Sequence, residues 1–398
     1  MKQVQSLLAA LLGALALAAT PCAHAQNTIK VGVIAAFSGP FADYGGQIEA
    51  GMKAYMKEHG DTVAGKKIEL ITRDTKGPAP EVAKRLAQEL ITRDKVQFLA
   101  GFGLTPNAMA VAPVVTEAKV PMVISNAATS SITTKSPYIT RVSMTIPQIA
   151  EPLAQWALKN GIKQVYTVVA DYGPGIDAET QFTKTFKAGG GQIVGSVRMP
   201  LQNPDYVPFM QRAKDAGPDA VFVFVPGGRD ATSLMKVFGE LGLKAQGIKL
   251  IGPGDISTDE ELQNMGDVAL GVVTAFHYSS AATRPANQEF VKAYKAEFGE
   301  KEDPPFEVVG AYDGMAAIFH AIIAQKGNID PDKTMELLKG WKNDASPRGP
   351  IMIDPDTRDI VQNEYLRRIE KVNGALANVE FETIPMVKDP WKELNKQK

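Results

Sequence analysis

Few side chains in this sequence are equipped for covalent chemistry. The only cysteine, Cys22, and one of the four histidines, His24, fall within the first 25 residues. The other histidines, His59, His277 and His320, stand far apart, with no partner at the spacing of a metal site or a catalytic triad. His59 falls at a helix end and His320 inside a helix. His277 closes a strand near a possible crossing between lobes, and all three read as packing or surface residues. No GxxxxGK(S/T), HExxH or GxSxG pattern occurs. Gly101-Phe102-Gly103 follows a strand as a dinucleotide fingerprint does, but Pro106 stands where the third glycine belongs. The expectation is a protein that is not an enzyme and holds no cofactor and no metal. A two-carboxylate hydrolase stays open only because any two acids can meet in space.

Binding is better provided for. Six short segments are small, hydroxylated and Gly-rich. They are Ser38 to Gly45, Gly101 to Pro106, Ser125 to Ser131, Asp171 to Gly175, Pro226 to Arg229 and Gly252 to Asp255. Segments of this type expose backbone N–H groups and start helices. A helix N-terminus carries unsatisfied donors and partial positive charge, which suits a small anion such as a carboxylate.

The elements that must position these segments follow one pattern: strand, turn, helix, repeated. Ile29 to Ala36, Lys67 to Thr72, Val96 to Ala100 and Val120 to Ser125 read as strands. Ile48, Met52, Tyr55 and Met56 recur at helical spacing, and Pro80 opens a helix carrying Val82, Leu86 and Leu90. Asn107 to Glu117 completes this set. The alternation restarts after Ile146. Helices are expected at Ile149 to Lys159, Asp177 to Lys187, Tyr206 to Ala216 and Arg229 to Leu241. Strands are expected at Gln164 to Ala170, Ile193 to Arg198, Ala220 to Val225, Leu250-Ile251 and Val272 to Phe276. Two long helices, Pro285 to Phe298 and Phe306 to Ala324, come next. Short strands between Ile351 and Ile384 follow, with a hairpin turn at Asn373-Gly374. The fold class is α/β, with more parallel strands than one open sheet carries, so two doubly wound lobes are expected. Ligands bind such sheets at the carboxyl ends of strands, where the six segments fall.

The 398 residues are 44% hydrophobic and 22% charged with a net charge of −1, which fits a globular chain and removes the simplest case for nucleic-acid binding. Lys2, the apolar run Leu7 to Ala19 and Ala23-His24-Ala25 have the form of a secretory signal peptide. Residues 1–25 are expected to be removed by cleavage after Ala25, leaving a chain without a thiol. Pro21 before Cys22 argues against a lipid anchor. No other stretch reads as long and apolar enough to span a bilayer.

Lys30 to Ile34 running into Ser38-Gly39-Pro40 and Tyr44-Gly45 resembles the leucine-isoleucine-valine-binding proteins. These are periplasmic receptors for ABC importers of the branched-chain amino acid type. Pro121 to Ser125 with Asn126 to Thr129, then Asp171-Tyr172-Gly173, then Ala311 to Gly314 resemble further family motifs in order. The resemblance implies a type I periplasmic-binding fold with three crossings. One lobe would hold residues 26–145 and 278–363, the other 146–277 and 364–398. The lobes would close by hinge motion on a small carboxylate, such as a hydrophobic amino acid or related organic acid. The implied partner is an inner-membrane ABC permease, and the implied state is a periplasmic monomer.

Carried over by residue, the resemblance gives the ligand carboxylate to the hydroxyls of Thr105 and Thr129, with Ala127 and Ala128 supplying backbone contacts. Tyr44 and Tyr172 match the aromatic walls. Two departures stand out. Gly254 occupies the place of the acid that pairs with a ligand ammonium, with Asp255 next. Gly227-Gly228-Arg229 replaces another wall aromatic, so Gly228 is expected to enlarge the pocket, and Arg229 reads as a first-turn helix residue or a second polar contact. Either Asp255 takes the ammonium, or the ligand is a bulkier acid without one, such as a benzoate or hydroxycinnamate. A sensory role for the same fold, or an exported hydrolase, are the less favoured alternatives.

Overall fold

In a computed structural model of the chain, residues 28–299 and 302–395 are described. The expectations for residues 1–25, the leader and its cleavage, lie outside them.

The first six strands are β1 (Thr28–Ala35), β2 (Thr62–Val63), β3 (Lys66–Asp74), β4 (Phe98–Gly101), β5 (Met122–Ile124) and β6 (Ile139–Arg141). They form one sheet in the order β2-β3-β1-β4-β5-β6, parallel throughout except for the β2 edge. Val31, Val33, Phe98, Leu99 and Val123 are fully buried. Their near-continuous apolar runs reflect a sheet covered by helices on both faces.

A second sheet gathers β7 (Gln164–Ala170), β8 (Gln192–Met199), β9 (Ala220–Phe224), β10 (Lys249–Pro253) and β11 (Val273–Phe276). It continues through β12 (Lys342–Asn343), β13 (Ile351–Ile353), β14 (Ile360–Val372) and β15 (Ala375–Val387). Its order is β12-β13-β14-β11-β10-β9-β7-β8, with β15 paired to β14. β7 to β11 run parallel, and β14 adds antiparallel to β11. The two doubly wound sheets agree with the expected fold class. The helix Phe306–Ala324 packs along Ala42–His59, and Ala311 with Met315 to Phe319, Ala321 and Ile322 belong to the core of the first sheet. Ile351, Ile353 and Ile360 also pack there, although their strands are hydrogen-bonded into the second sheet.

Four details differ from the sequence reading. The tail forms two strands of 13 residues each rather than short ones, joined by Asn373 and Gly374 at φ 51° and 87°, the two positive dihedrals a tight hairpin turn requires. The helix after β7 starts at Gly173 rather than Asp177, because Pro174 is at home in a first helical turn. The helix Pro331–Leu338 was not anticipated, although Asp330-Pro331 marks its start and the Asp330 side chain accepts from Lys333 N at 2.7 Å. Finally, Phe306–Ala324 is long and apolar enough to cross a membrane by composition, yet 89% of its apolar window is buried inside the protein.

Candidate functional site

The carboxyl ends of β4 and β5 deliver two first-sheet segments to the seam between the sheets. Thr105 opens the helix Thr105–Ala118, and Thr129 precedes a short 3-10 turn, Ser130–Lys135. Their hydroxyls meet at 3.2 Å, with Thr105 donating. Behind this pair lies Arg141, fully buried, at the end of β6. Its Nη1 donates to the carbonyls of Ala127 at 2.9 Å and Thr129 at 2.8 Å. Asp359 closes the guanidinium at 2.7 Å.

A trans peptide points its N–H opposite to its C=O. Holding the Ala127 carbonyl toward Arg141 therefore turns the Ala128 N–H away from it. The Ala128 carbonyl accepts from Ile146 N at 3.2 Å, which turns the Thr129 N–H likewise. Among the described residues, neither N–H has a protein acceptor. The third turned group, Ser130 N, donates across the seam to Asp177 Oδ2 at 3.0 Å. Burial pushes the Asp177 carboxyl up to about 6, against the pull of this bond and of Arg141.

The second sheet supplies the facing residues. Gly173 starts its helix so close to the first sheet that a Cβ there would lie 2.3 Å from Thr129 Oγ1. Tyr172 stands beside Phe224, with ring centroids 6.0 Å apart. Asp255 is the second residue of the 3-10 turn Gly254–Ser257 after β10, and its Oδ2 has no partner. Burial raises its carboxyl to about 7, despite nearby Arg367. The phenols of Tyr44 and Tyr172 are held far above their usual range, first by burial and then by the surrounding acids.

Of the residues singled out from sequence, Tyr44, Thr105, Ala128, Tyr172 and Asp255 line one inner chamber together with Gly103, Asn126, Met144, Pro174 and Phe224. Its cavity volume is about 10 Å³, so its walls have closed on one another. Thr129 reaches it through Thr105. Ala127 lies behind the loop: its N–H donates to Phe102 O at 2.9 Å and its carbonyl serves Arg141. Gly228 does not reach the inner chamber. With Arg229 it lines an outer chamber of about 330 Å³, on the far side of Tyr44, alongside Asp43, Asp230 and Glu260. Gly254 also faces away. A Cβ there would sit 2.2 Å from the Phe276 ring and 2.3 Å from Arg367 Nη2, so that space is already filled.

Sequence reasoning missed Asn126, Met144 and Phe224. Asn126 lies inside a segment it had selected, whereas Met144 and Phe224 carry no signal beyond ordinary apolar character. His277 is wholly buried beside Phe276 and Phe306, and burial pushes its imidazole well below its usual value. It is a neutral packing residue. No group of three metal-ligating side chains occurs among the described residues.

Residues 28–375 match the family described as periplasmic binding protein. A Leu/Ile/Val-binding protein homolog from Brucella melitensis is 46% identical over 365 residues, covering 92% of this chain and 93% of its own. The solute-binding protein of an ABC transporter from Rhodopseudomonas palustris BisB5 was solved with 3,4-dihydroxybenzoic acid. It is 53% identical with a TM-score of 0.89, covering 92% of this chain and 99% of that one. A counterpart from strain HaA2, solved with p-hydroxybenzoic acid, is 48% identical at the same TM-score and coverage. A leucine-binding protein from Thermotoga maritima, 24% identical with a TM-score of 0.79, covers 90% of this chain and 99% of that one and shares the fold.

Proposed function

This chain belongs to the periplasmic binding protein family, whose members are receptors rather than enzymes, and from that premise we propose that its ligand is an aromatic carboxylate of the benzoate class. The observation that carries the reading is at Gly254. In amino-acid binders the resemblance puts an acid there to meet the ammonium; here Phe276 and Arg367 occupy the volume a side chain would need. A buried ammonium without a counter-charge is strongly disfavoured. The chamber suits a flat ring with one anionic end. Tyr44, Tyr172, Phe224 and Met144 supply apolar and aromatic wall, while the Thr129 hydroxyl, which accepts from Thr105, and the N–H groups of Ala128 and Thr129 offer donors to a carboxylate. The two R. palustris proteins, solved with hydroxylated benzoic acids, support the same class.

In this reading the lobes, 26–145 with 278–363 and 146–277 with 364–398, part to admit the ligand and close over it. The monomer, freed of its leader after Ala25, then presents its closed face to an ABC permease. A second reading keeps a branched-chain amino acid as ligand. It draws on the name of the B. melitensis relative and on Asp255, an acid inside the chamber that an ammonium would ionise.

Thermal melting against benzoate, p-hydroxybenzoate, 3,4-dihydroxybenzoate, leucine, isoleucine and valine separates the two. A ligand at 100 times its Kd adds about 2.7 kcal/mol to stability. The aromatic reading expects a shift with the benzoates and none with the amino acids; the reverse result overturns it.

A further inference from the structure

We propose that Asn126 and Asp255 form a hydroxyl-recognising pair, so that this receptor selects benzoates bearing ring hydroxyl groups over benzoate itself. The inference rests on the aromatic-acid reading and adds the feature of the ring that the chamber reads. Asn126 and Asp255 are 5% and 4% exposed, and both line the inner chamber. They enter it from opposite sides of the seam, Asn126 after β5 of the first sheet and Asp255 after β10 of the second.

The orientation of the Asn126 amide is decided by its neighbour. Its Nδ2 donates to the Gly103 carbonyl at 3.0 Å. The flipped amide would set two acceptors against each other, so Oδ1 is the atom left over, and it has no partner. An amide oxygen can only accept. Asp255 Oδ2 is the second unpartnered oxygen on the chamber wall. It accepts when ionised and donates when protonated, so a phenolic hydroxyl satisfies it in either state.

Buried polar atoms in folded proteins are almost always hydrogen-bonded, and two orphans on one small chamber need a common explanation. The rest of the wall leaves both oxygens unmet. Met144, Phe224, Pro174 and Ala128 offer no side-chain hydrogen bond, the Thr105 hydroxyl is directed at Thr129, and the phenols of Tyr44 and Tyr172, although on the same wall, are bonded to neither oxygen. An unsubstituted benzoate would bury both oxygens against ring carbon and leave them unmet. A ring hydroxyl turned to either oxygen removes that penalty, and a second hydroxyl serves the other. Sites built to bond a ligand hydroxyl discriminate against the analogue lacking it far more than apolar pockets do, because the protein's own group is left unpaired.

The test is calorimetric titration of the full chain with benzoate, p-hydroxybenzoate and 3,4-dihydroxybenzoate, for the wild type and for Asn126→Ala and Asp255→Ala. The wild type is expected to bind the hydroxylated acids on the order of 10- to 100-fold more tightly than benzoate. Each variant is expected to narrow the ratio of hydroxylated-acid to benzoate affinity by about tenfold or more, whatever it does to benzoate binding itself. A wild type that binds all three equally overturns the proposal and leaves the aromatic-acid reading standing. Variants that lose benzoate and hydroxybenzoates in equal measure overturn it too, since a structural role for the pair would do the same. The wild-type ratio needs no variant to fold. A wild type that binds none of the three acids overturns the aromatic-acid reading and this inference with it.

Discussion

Gly173 offers the sharpest test of how the two sheets meet. It starts the helix after β7, and a Cβ added there would lie 2.3 Å from Thr129 Oγ1 and 3.2 Å from Thr105 Cγ2. The first distance is far inside the roughly 3.5 Å at which non-bonded heavy atoms come to rest. Thr129 has little room to yield, because its hydroxyl is bonded to Thr105 and its carbonyl to Arg141. Overpacking of this kind costs about 1–3 kcal/mol. If the lobes part and close as proposed, the cost applies only to the closed state, so it falls on binding and not on folding. Gly173→Ala is therefore expected to weaken ligand binding roughly 5- to 150-fold. The unliganded protein should melt no lower than the wild type, since alanine in place of a helical glycine gains up to about 1 kcal/mol. Titration calorimetry gives the first quantity and a ligand-free thermal melt the second. A variant that binds with wild-type affinity would refute the reasoning, because it would mean the closed state does not bring Gly173 onto Thr129.

Three further outcomes follow from the same geometry. Thr129→Val keeps the shape but removes a hydroxyl at the proposed carboxylate end; an affinity loss of about tenfold or more is expected, with Thr129→Ser retaining most binding, and equal Kd values for Val and Ser would dismiss the hydroxyl. Arg141→Met leaves loop carbonyls and Asp359 short of a partner inside the protein, and urea unfolding should report a loss of about 3 kcal/mol; a change under about 1 kcal/mol would show the loop holds itself. Asp255 has a folded value of about 7 against an ordinary 3.8, so the stability linked to it is full below about pH 4 and declines as pH rises through 7, by at most about 4 kcal/mol. Asp255→Asn should flatten that part of the unfolding free energy between pH 4.5 and 8, and parallel wild-type and variant curves would remove Asp255 as the cause.

The strand-and-helix alternation was legible because each buried parallel strand writes itself as an unbroken apolar run, as Val31 to Ala36 and Val221 to Val225 do. The binding segments were legible for a related reason. A parallel sheet leaves only its strand ends for ligands, and those ends are the few places where glycine, serine and threonine replace valine and isoleucine. Tyr44, Thr105, Ala128, Tyr172 and Asp255 meet on one chamber as that logic predicts. It could not say which backbone groups are free, and so it credited Ala127 with a contact that Phe102 and Arg141 already use. Nor could it see that the space beside Gly254 is filled by Arg367 and Phe276. Both points turn on tertiary contacts, such as Arg367 beside Gly254 from 113 residues away, or on backbone groups, where local spacing carries no information.

Three buried arginines share one design. Arg141, Arg348 and Arg367 are each about 1% exposed or less, and each spends donors on backbone carbonyls of segments that flank the chamber or cross between sheets. Arg141 holds Ala127 and Thr129; Arg348 holds Val142 and Ser143; Arg367 holds Tyr278 and, more weakly, Gly254. Their carboxylate support differs. Arg141 and Arg348 have close partners in Asp359 and Asp313, whereas Arg367 is bonded to Thr274 and Ser257. A guanidinium has five donors in a fixed plane and never loses its charge, so one buried arginine can fix several carbonyls at once where a lysine could not. Because each fixed carbonyl turns the following N–H the other way, Arg141 sets the direction of the Ala128 and Ser130 N–H groups. The direction of the free Ala128 N–H, at the proposed carboxylate end, is thus written less in its own segment than in Arg141 and Asp359, 218 residues apart.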